Sequence, residues 1–244
     1  MQSRLQGAPA GPSPNYGVDR PDLILSLVAA GSVCLVLGAL SFATTRYLGF
    51  ALGLVLFAAA GIFALSSNVL KVREAERLIA SLPFLGKEVV LDVGCGRGLL
   101  LVTAARRLST GRAVGVDIWS RRLQSGNSPQ APLENSRRAG VGNRVEVGSA
   151  DARRLPFKDS SFDAVLSSLV LYHIPADERG TALAEMVRVL KPGGRLALID
   201  VFRSPEFPGA LRNLGMKDVQ VSPPKLSLFG AGTLRASKPT SAGT

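Results

Sequence analysis

The chain has 244 residues, with 29 Lys or Arg against 18 Asp or Glu and a formal net charge of +11. Its two cysteines, Cys34 and Cys95, leave no disulfide framework and no cysteine metal site. A reducing, cytosol-facing location fits that usage. From residue 71 onward there are 26 basic and 16 acidic residues, a surplus that suits nucleic acid, an anionic membrane surface or an ordinary solvated face.

Residues 1–21 are rich in Pro, Gly, Ser and Ala without apolar periodicity and read as a disordered tail. Residues 22–66 hold two uncharged runs, Leu23–Ala43 and Leu48–Leu65, parted by TTRY with Arg46. About 20 apolar residues cross a hydrocarbon core, so the pair reads as a transmembrane hairpin. Gly38, Gly49, Gly53 and Gly61 permit close helix–helix approach. A cleaved signal would be shorter and single, and a soluble helical hairpin would show a polar face. Arg4 and Arg20 precede the first run, and Lys71, Arg73 and Arg77 follow the second; this flanking charge puts both ends in the cytoplasm. Because a membrane segment is attached, anionic lipid is favoured over nucleic acid as the partner of the basic surplus. Residues 67–86 form an amphipathic connector, with Val72, Ala75, Leu78, Ile79 and Leu82 along one side.

From residue 87 to 238 the pattern alternates strand and helix. EVVLDV is a buried strand, LDVGCGRG a glycine loop, and LLLVTAARRL a helix. Strands follow in RAVGVDIW, RVEVGSAD and SSFDAVLSS. A helix spans about Asp177 to Leu190, and after the turn KPGG comes the strand RLALIDV. Such alternation calls for a parallel sheet. Side chains are absent where backbone must approach a ligand, and the helix start beyond offers free N–H groups. The glycines fall at 94, 96 and 98, with Leu at 99, which departs from the dinucleotide fingerprint G-x-G-x-x-G. An acidic residue ending the second strand, Asp117, suits a pair of ribose hydroxyls.

DVGCGRG with Asp92, Asp117, SADARRLPF with Asp151, and VLKPGGRLALID together resemble the class I S-adenosylmethionine-dependent methyltransferases, closest to the small-molecule group that includes quinone and sterol methylating enzymes. The resemblance covers about residues 71–238. It implies a Rossmann-like, doubly wound α/β fold with a mostly parallel seven-stranded sheet and a C-terminal antiparallel hairpin, supplied by KDVQVS and LFGAGTLRASK. It implies S-adenosyl-L-methionine as cofactor, with Gly94, Gly96 and Gly98 under its methionine part and Asp92 ordering the loop or reaching the amino group. Asp117 would hold the ribose and Ile118 lie against the adenine. Asp151 and the Ala152 backbone would bond the adenine, and Ser168 would close the methionine pocket. The stretch WSRRLQSGNSPQAP, longer and more polar than usual, either covers the adenine side, builds part of an acceptor pocket or is a surface loop.

Methyl transfer requires an aligned nucleophile and exclusion of water, and a base only where the acceptor must lose a proton. His173, in LVLYHIPADERG after the fourth strand, is either that base or pocket lining, and Tyr172 shapes the pocket. SPPK at Ser222–Lys225 lacks the aromatic residue of amino-methylating DNA enzymes and sits in the wrong place. Cys95 belongs to the cofactor loop, so cytosine-C5 chemistry lacks its thiol, and no metal is called for. The expectation is a membrane-anchored methyltransferase with a small-molecule or lipid acceptor and its catalytic domain cytoplasmic. Residues 239–244 form a second tail. The alternatives are a membrane-tethered cofactor-binding module without transfer, a nicotinamide oxidoreductase and, with nucleic acid unfavoured, an RNA methyltransferase. The sequence leaves the oligomeric state open.

Overall fold

In the computed structural model, which describes residues 13–17, 21–42, 44–65, 69–120, 123–124, 126–201, 206–223 and 231–240, the apolar runs beyond residue 88 form one sheet. Its strands are β1 (Val89–Val93), β2 (Arg112–Asp117), β3 (Val145–Ser149), β4 (Phe162–Ser168), β5 (Leu190–Val201), β6 (Lys217–Ser222) and β7 (Ala231–Ser237). Their spatial order is β3-β2-β1-β4-β5-β7-β6. The first five pair in parallel, and β7 runs antiparallel between β5 and β6. The expected mostly parallel sheet with an antiparallel hairpin is the one observed.

Because successive strand side chains point to opposite faces, each buried strand feeds two cores. Val90, Ala164, Leu166 and Ala197 join one cluster, and Leu91, Val165, Leu196 and Leu198 the other. The first cluster is covered by α3 (Lys71–Ala80), α4 (Leu99–Ala105) and α5 (Gln130–Arg138), the second by α6 (Arg179–Val189) and α7 (Glu206–Asn213). Strands buried on both faces read as continuous apolar runs for this reason. On α3, Ala75, Leu78 and Ile79 are buried, so the expected connector is a core element packed on α4.

One punctuation signal gave way to the sheet. KPGG, expected as a turn, lies inside β5, where the β4–β5 register shifts between Phe162 and Ala164. Pro192 has no N–H to give a ladder, and Gly193, at φ +77°, donates its N–H outward to Lys238 O at 2.9 Å. The signal marks an irregularity that the pairing tolerates.

Upstream, α1 (Pro21–Leu40) and α2 (Thr44–Leu65) fold back on one another. A Cβ on Gly49 would lie 2.7 Å from Gly38 Cα, so the backbones touch where both residues lack side chains. Gly53 meets Leu35 in the same seam, whereas Gly61 faces open space. Elsewhere the apolar side chains point outward: Leu25 is 69% exposed and Leu54 71%. Both helices are long and apolar enough to cross a bilayer. Of the stretches read as tails, residues 1–12, 18–20 and 241–244 lie outside the described residues, while residues 13–17 lie against the domain.

Candidate active site

Strand order reverses between β1 and β4, and in an open α/β sheet the crevice outside the strand ends forms at that switch. A cavity of ≈ 600 Å³ occupies it, within the usual range for small-ligand sites. Asp92 is the penultimate residue of β1, Asp117 ends β2, Ser168 ends β4 and Val201 ends β5, and all four line the cavity.

The glycine loop is built by close approach. Gly94 and Cys95 donate N–H bonds to Val116 O at 2.7 and 3.0 Å, holding the loop against β2. Gly94, at φ +71°, has no room for a Cβ, which would meet Val170 Cγ2 at 2.2 Å. Gly96 lies under Gln124, whose Oε1 would be 2.3 Å from its Cβ. Gly98 faces elsewhere: it precedes α4 and packs on Pro132 of α5, so the structure brings Gly94 and Gly96 to the cavity and leaves Gly98 beneath it.

Asp92 is 1% exposed, and its Oδ2 accepts the Leu101 N–H at 2.9 Å, tying β1 to the first turn of α4. Burial first, and the neighbouring Asp117 charge also, lift its carboxyl to about 7 against the Leu101 bond. Asp117 is 8% exposed; its Oδ2 accepts the Gly96 N–H at 2.9 Å, and its Oδ1 accepts the Trp119 N–H at 2.7 Å and Asn127 Nδ2 at 3.1 Å. Three buried side-chain oxygens, Asp92 Oδ1, Gln124 Oε1 and Asn127 Oδ1, have no donor among the described residues. Burial pushes the Cys95 thiol up, so it is no thiolate nucleophile.

Ile118, half-exposed, and buried Ala152 line the cavity on the same side. Asp151 joins them, but its carboxylate is engaged: Arg153 donates its backbone N–H and Nε to Oδ1 at 2.9 Å each. These bonds hold the Asp151 carboxyl below the usual carboxylate range. Arg153 also pairs with Glu178, stitching the loop after β3 to the start of α6.

Beyond β4 the chain turns sharply. Leu169 has φ +56°, a costly conformation for a leucine, and its N–H bonds Ile199 O at 2.8 Å. A short 3₁₀ turn, Leu171–His173, then presents Tyr172 and His173 with ring centroids 3.7 Å apart and planes tilted by 37°. Asp200, buried at the end of β5, holds this turn: Oδ2 accepts the Val170 and Leu171 N–H groups at 3.1 and 2.9 Å, and Oδ1 the Val201 N–H at 2.7 Å. Burial nevertheless raises its carboxyl. Asp200 has no role among the sequence expectations, although an acid near the end of a buried strand is the kind of signal that marks Asp117.

A second unforeseen wall comes from residues 13–17. The Asn15 N–H donates to Asn135 Oδ1 at 2.8 Å, and Asn135 Nδ2 donates back to Asn15 O at 2.9 Å and to Arg97 O at 2.8 Å. Arg97 Nε bonds Asn15 O at 3.0 Å. Tyr16, its phenol pushed up by burial, and Lys71, which donates to Gly17 O at 3.1 Å, both line the cavity.

Residues 91–198 match the family model for a methyltransferase domain. The chain is 35% identical over 140 residues to a 27-O-demethylrifamycin SV methyltransferase of Amycolatopsis mediterranei, covering 56% of this chain and 47% of that one. It is 39% identical over 114 residues to a ubiquinone/menaquinone biosynthesis C-methyltransferase of an Enterobacter species, covering 46% and 42%. The chain thus spans about half the length of the curated relatives it matches. Among solved structures, a geranyl diphosphate methyltransferase in complex with S-adenosylmethionine superposes with TM-score 0.58 at 16% identity, over 75% of this chain and 90% of that one. A [4+2]-cyclase superposes with TM-score 0.57 at 20% identity, over 70% and 82%. At these identities the structures share the fold, the Rossmann-like sheet of class I methyltransferases.

Proposed function

We propose that the chain is an S-adenosylmethionine-dependent methyltransferase, held at a membrane by α1 and α2, that acts on a small acceptor with an apolar body. The observation that carries this reading is the convergence, in one cavity, of the glycine loop, two buried carboxylates and the Tyr172–His173 turn. The residues present fit the cofactor: its ammonium, ribose diol and adenine amino group bring donors to a site where three buried oxygens lack them.

The cofactor supplies an activated methyl group; the chain supplies position and dryness. Gly94 and Gly96 admit the ligand to the backbone, with Gly98 shaping the entry to α4. Asp92 would hold the ammonium, Asp117 the ribose and Ile118 the adenine face, while Asp151 and the Ala152 N–H would bond the adenine edge. Ser168 would close the methionine end, and Val170 and Phe207, which line the same cavity, would exclude water. An acceptor held in line about 3 Å from the methyl carbon needs little more. Where it is a hydroxyl or amine, His173 takes its proton.

The membrane part of the reading rests on where the chain leaves the cavity. Tyr16 lies five residues before α1 begins at Pro21, and Lys71 six residues after α2 ends at Leu65. At no more than about 3.5 Å per residue, the cavity wall sits within roughly 20 Å of both helix ends. An amphiphilic acceptor would therefore reach the site from the bilayer surface, with the domain on the cytoplasmic side. A second reading is cofactor binding without transfer, because a shared fold does not by itself fix the chemistry. In a thermal-shift comparison on the detergent-solubilised chain, S-adenosylhomocysteine should stabilise and NAD should not. Stabilisation by NAD alone would remove the methyltransferase reading. Cofactor binding without turnover on any lipid or small-molecule panel would favour the second.

A further inference from the structure

Asn127 lies in the polar stretch between β2 and α5, is 4% exposed and lines the cavity. Gly126, at φ +68°, turns the chain just before it. Its Nδ2 donates to Asp117 Oδ1 at 3.1 Å. That bond fixes the amide orientation, because the flipped form would set oxygen against carboxylate oxygen. The amide oxygen is then the other atom, buried in the cavity wall with no donor among the described residues.

An ionised carboxylate offers about four acceptor positions, and the chain already fills three on Asp117: the Gly96 N–H on Oδ2, and the Trp119 N–H and Asn127 Nδ2 on Oδ1. One position remains, on Oδ2. A ribose presents two vicinal hydroxyls, so the acid alone is one acceptor short. Of the three unpartnered buried acceptors among the described residues, Asn127 Oδ1 belongs to the side chain bonded to that same carboxylate. A residue serving only to brace Asp117 needs the donor alone, whereas a buried acceptor without a donor is costly. A ligand hydroxyl relieves that cost.

We infer that Asn127, with Asp117, forms a two-acceptor clamp for a vicinal diol, Asn127 Oδ1 accepting one ribose hydroxyl and Asp117 Oδ2 the other. The inference rests on the nucleoside-cofactor reading above and adds to it a residue from the loop that departs from a generic member. It makes the chain selective for an intact diol.

The test is calorimetry on the detergent-solubilised full chain, with S-adenosylhomocysteine and its 2′-deoxy and 3′-deoxy analogues as probes. The unchanged protein should lose about tenfold in affinity for each deoxy ligand, the worth of one hydrogen bond. Asn127→Ala should lose about tenfold for the parent ligand and no more for the analogue whose hydroxyl Asn127 accepts. Losses that multiply for both analogues, or parent-ligand affinity unchanged in Asn127→Ala, would overturn the clamp while leaving the cofactor reading intact. If the variant does not fold, the unchanged protein decides: equal affinity for parent and both deoxy ligands overturns the clamp. Failure of the unchanged protein to bind the parent ligand would overturn the cofactor reading and the clamp with it.

Discussion

The two ends of the cavity are held in different ways. At the glycine-loop end Asp92 and Asp117 are buried, and their carboxylates are tied to backbone N–H groups of the loop and of α4. At the other end Tyr172 and His173 stand exposed on a single 3₁₀ turn, secured from below by Asp200. The first end is scaffold, and in the proposed reading it holds the cofactor. The second is a loop on that scaffold, where the same fold can change what it accepts. The proposed reading therefore makes the cofactor the more constrained of the two ligands and the acceptor the less.

That contrast can be broken from either side. Asp117→Ala removes the anchor of Gly96, Trp119 and Asn127 together with the proposed ribose contact. Calorimetry should show about a 100-fold loss of S-adenosylhomocysteine affinity, and unchanged affinity would dissolve the assignment of that end. His173→Ala should lower turnover about 100-fold with a proton-bearing acceptor and leave cofactor affinity alone. Equal activity would make His173 lining. Asp200→Ala leaves buried N–H groups unpaired and should cost about 2 kcal/mol of stability, with kcat falling more than cofactor affinity. Asp200→Asn, keeping an acceptor, should recover part of both. Asn135→Ala releases residues 13–17 from the loop. It should expose them to limited proteolysis and weaken cofactor binding severalfold, about 1 kcal/mol.

The smallest effect sharpens the electrostatics. Between the ordinary 3.8 and about 7, folded Asp92 holds a proton that the unfolded chain has lost, so its contribution to stability falls as pH rises through that window. Thermal unfolding of the ligand-free chain should show a midpoint declining from pH 5 to 8, flattened in Asp92→Asn. The stabilisation given by S-adenosylhomocysteine should grow over the same range, since its ammonium favours the ionised carboxylate. A decline that Asp92→Asn leaves unchanged would place the titration elsewhere.

How much of this was legible in the sequence depends on how local each signal is. The strands announced themselves because parallel strands buried on both faces are unbroken apolar runs, and Asp92 and Asp117 stand where such runs stop. Asn127 could not be read in that way. Its inward turn depends on the left-handed Gly126 and on a carboxylate ten residues back. The wall formed by residues 13–17 was hidden further, since a Pro-, Gly- and Ser-rich stretch looks solvated. It is held by Asn135, 120 positions away, a pairing that no local pattern encodes. KPGG misled in the opposite direction, a strong turn signal that sheet pairing absorbed.

The central proposal, a cofactor-binding cavity that opens at a bilayer surface, is tested most directly by following the transferred group. The full chain in native membranes, given S-adenosylmethionine labelled in its methyl group, should place label in a lipid-phase product. Asp117→Ala membranes should not. Label appearing only in water-soluble products, or equally in both preparations, would contradict the account.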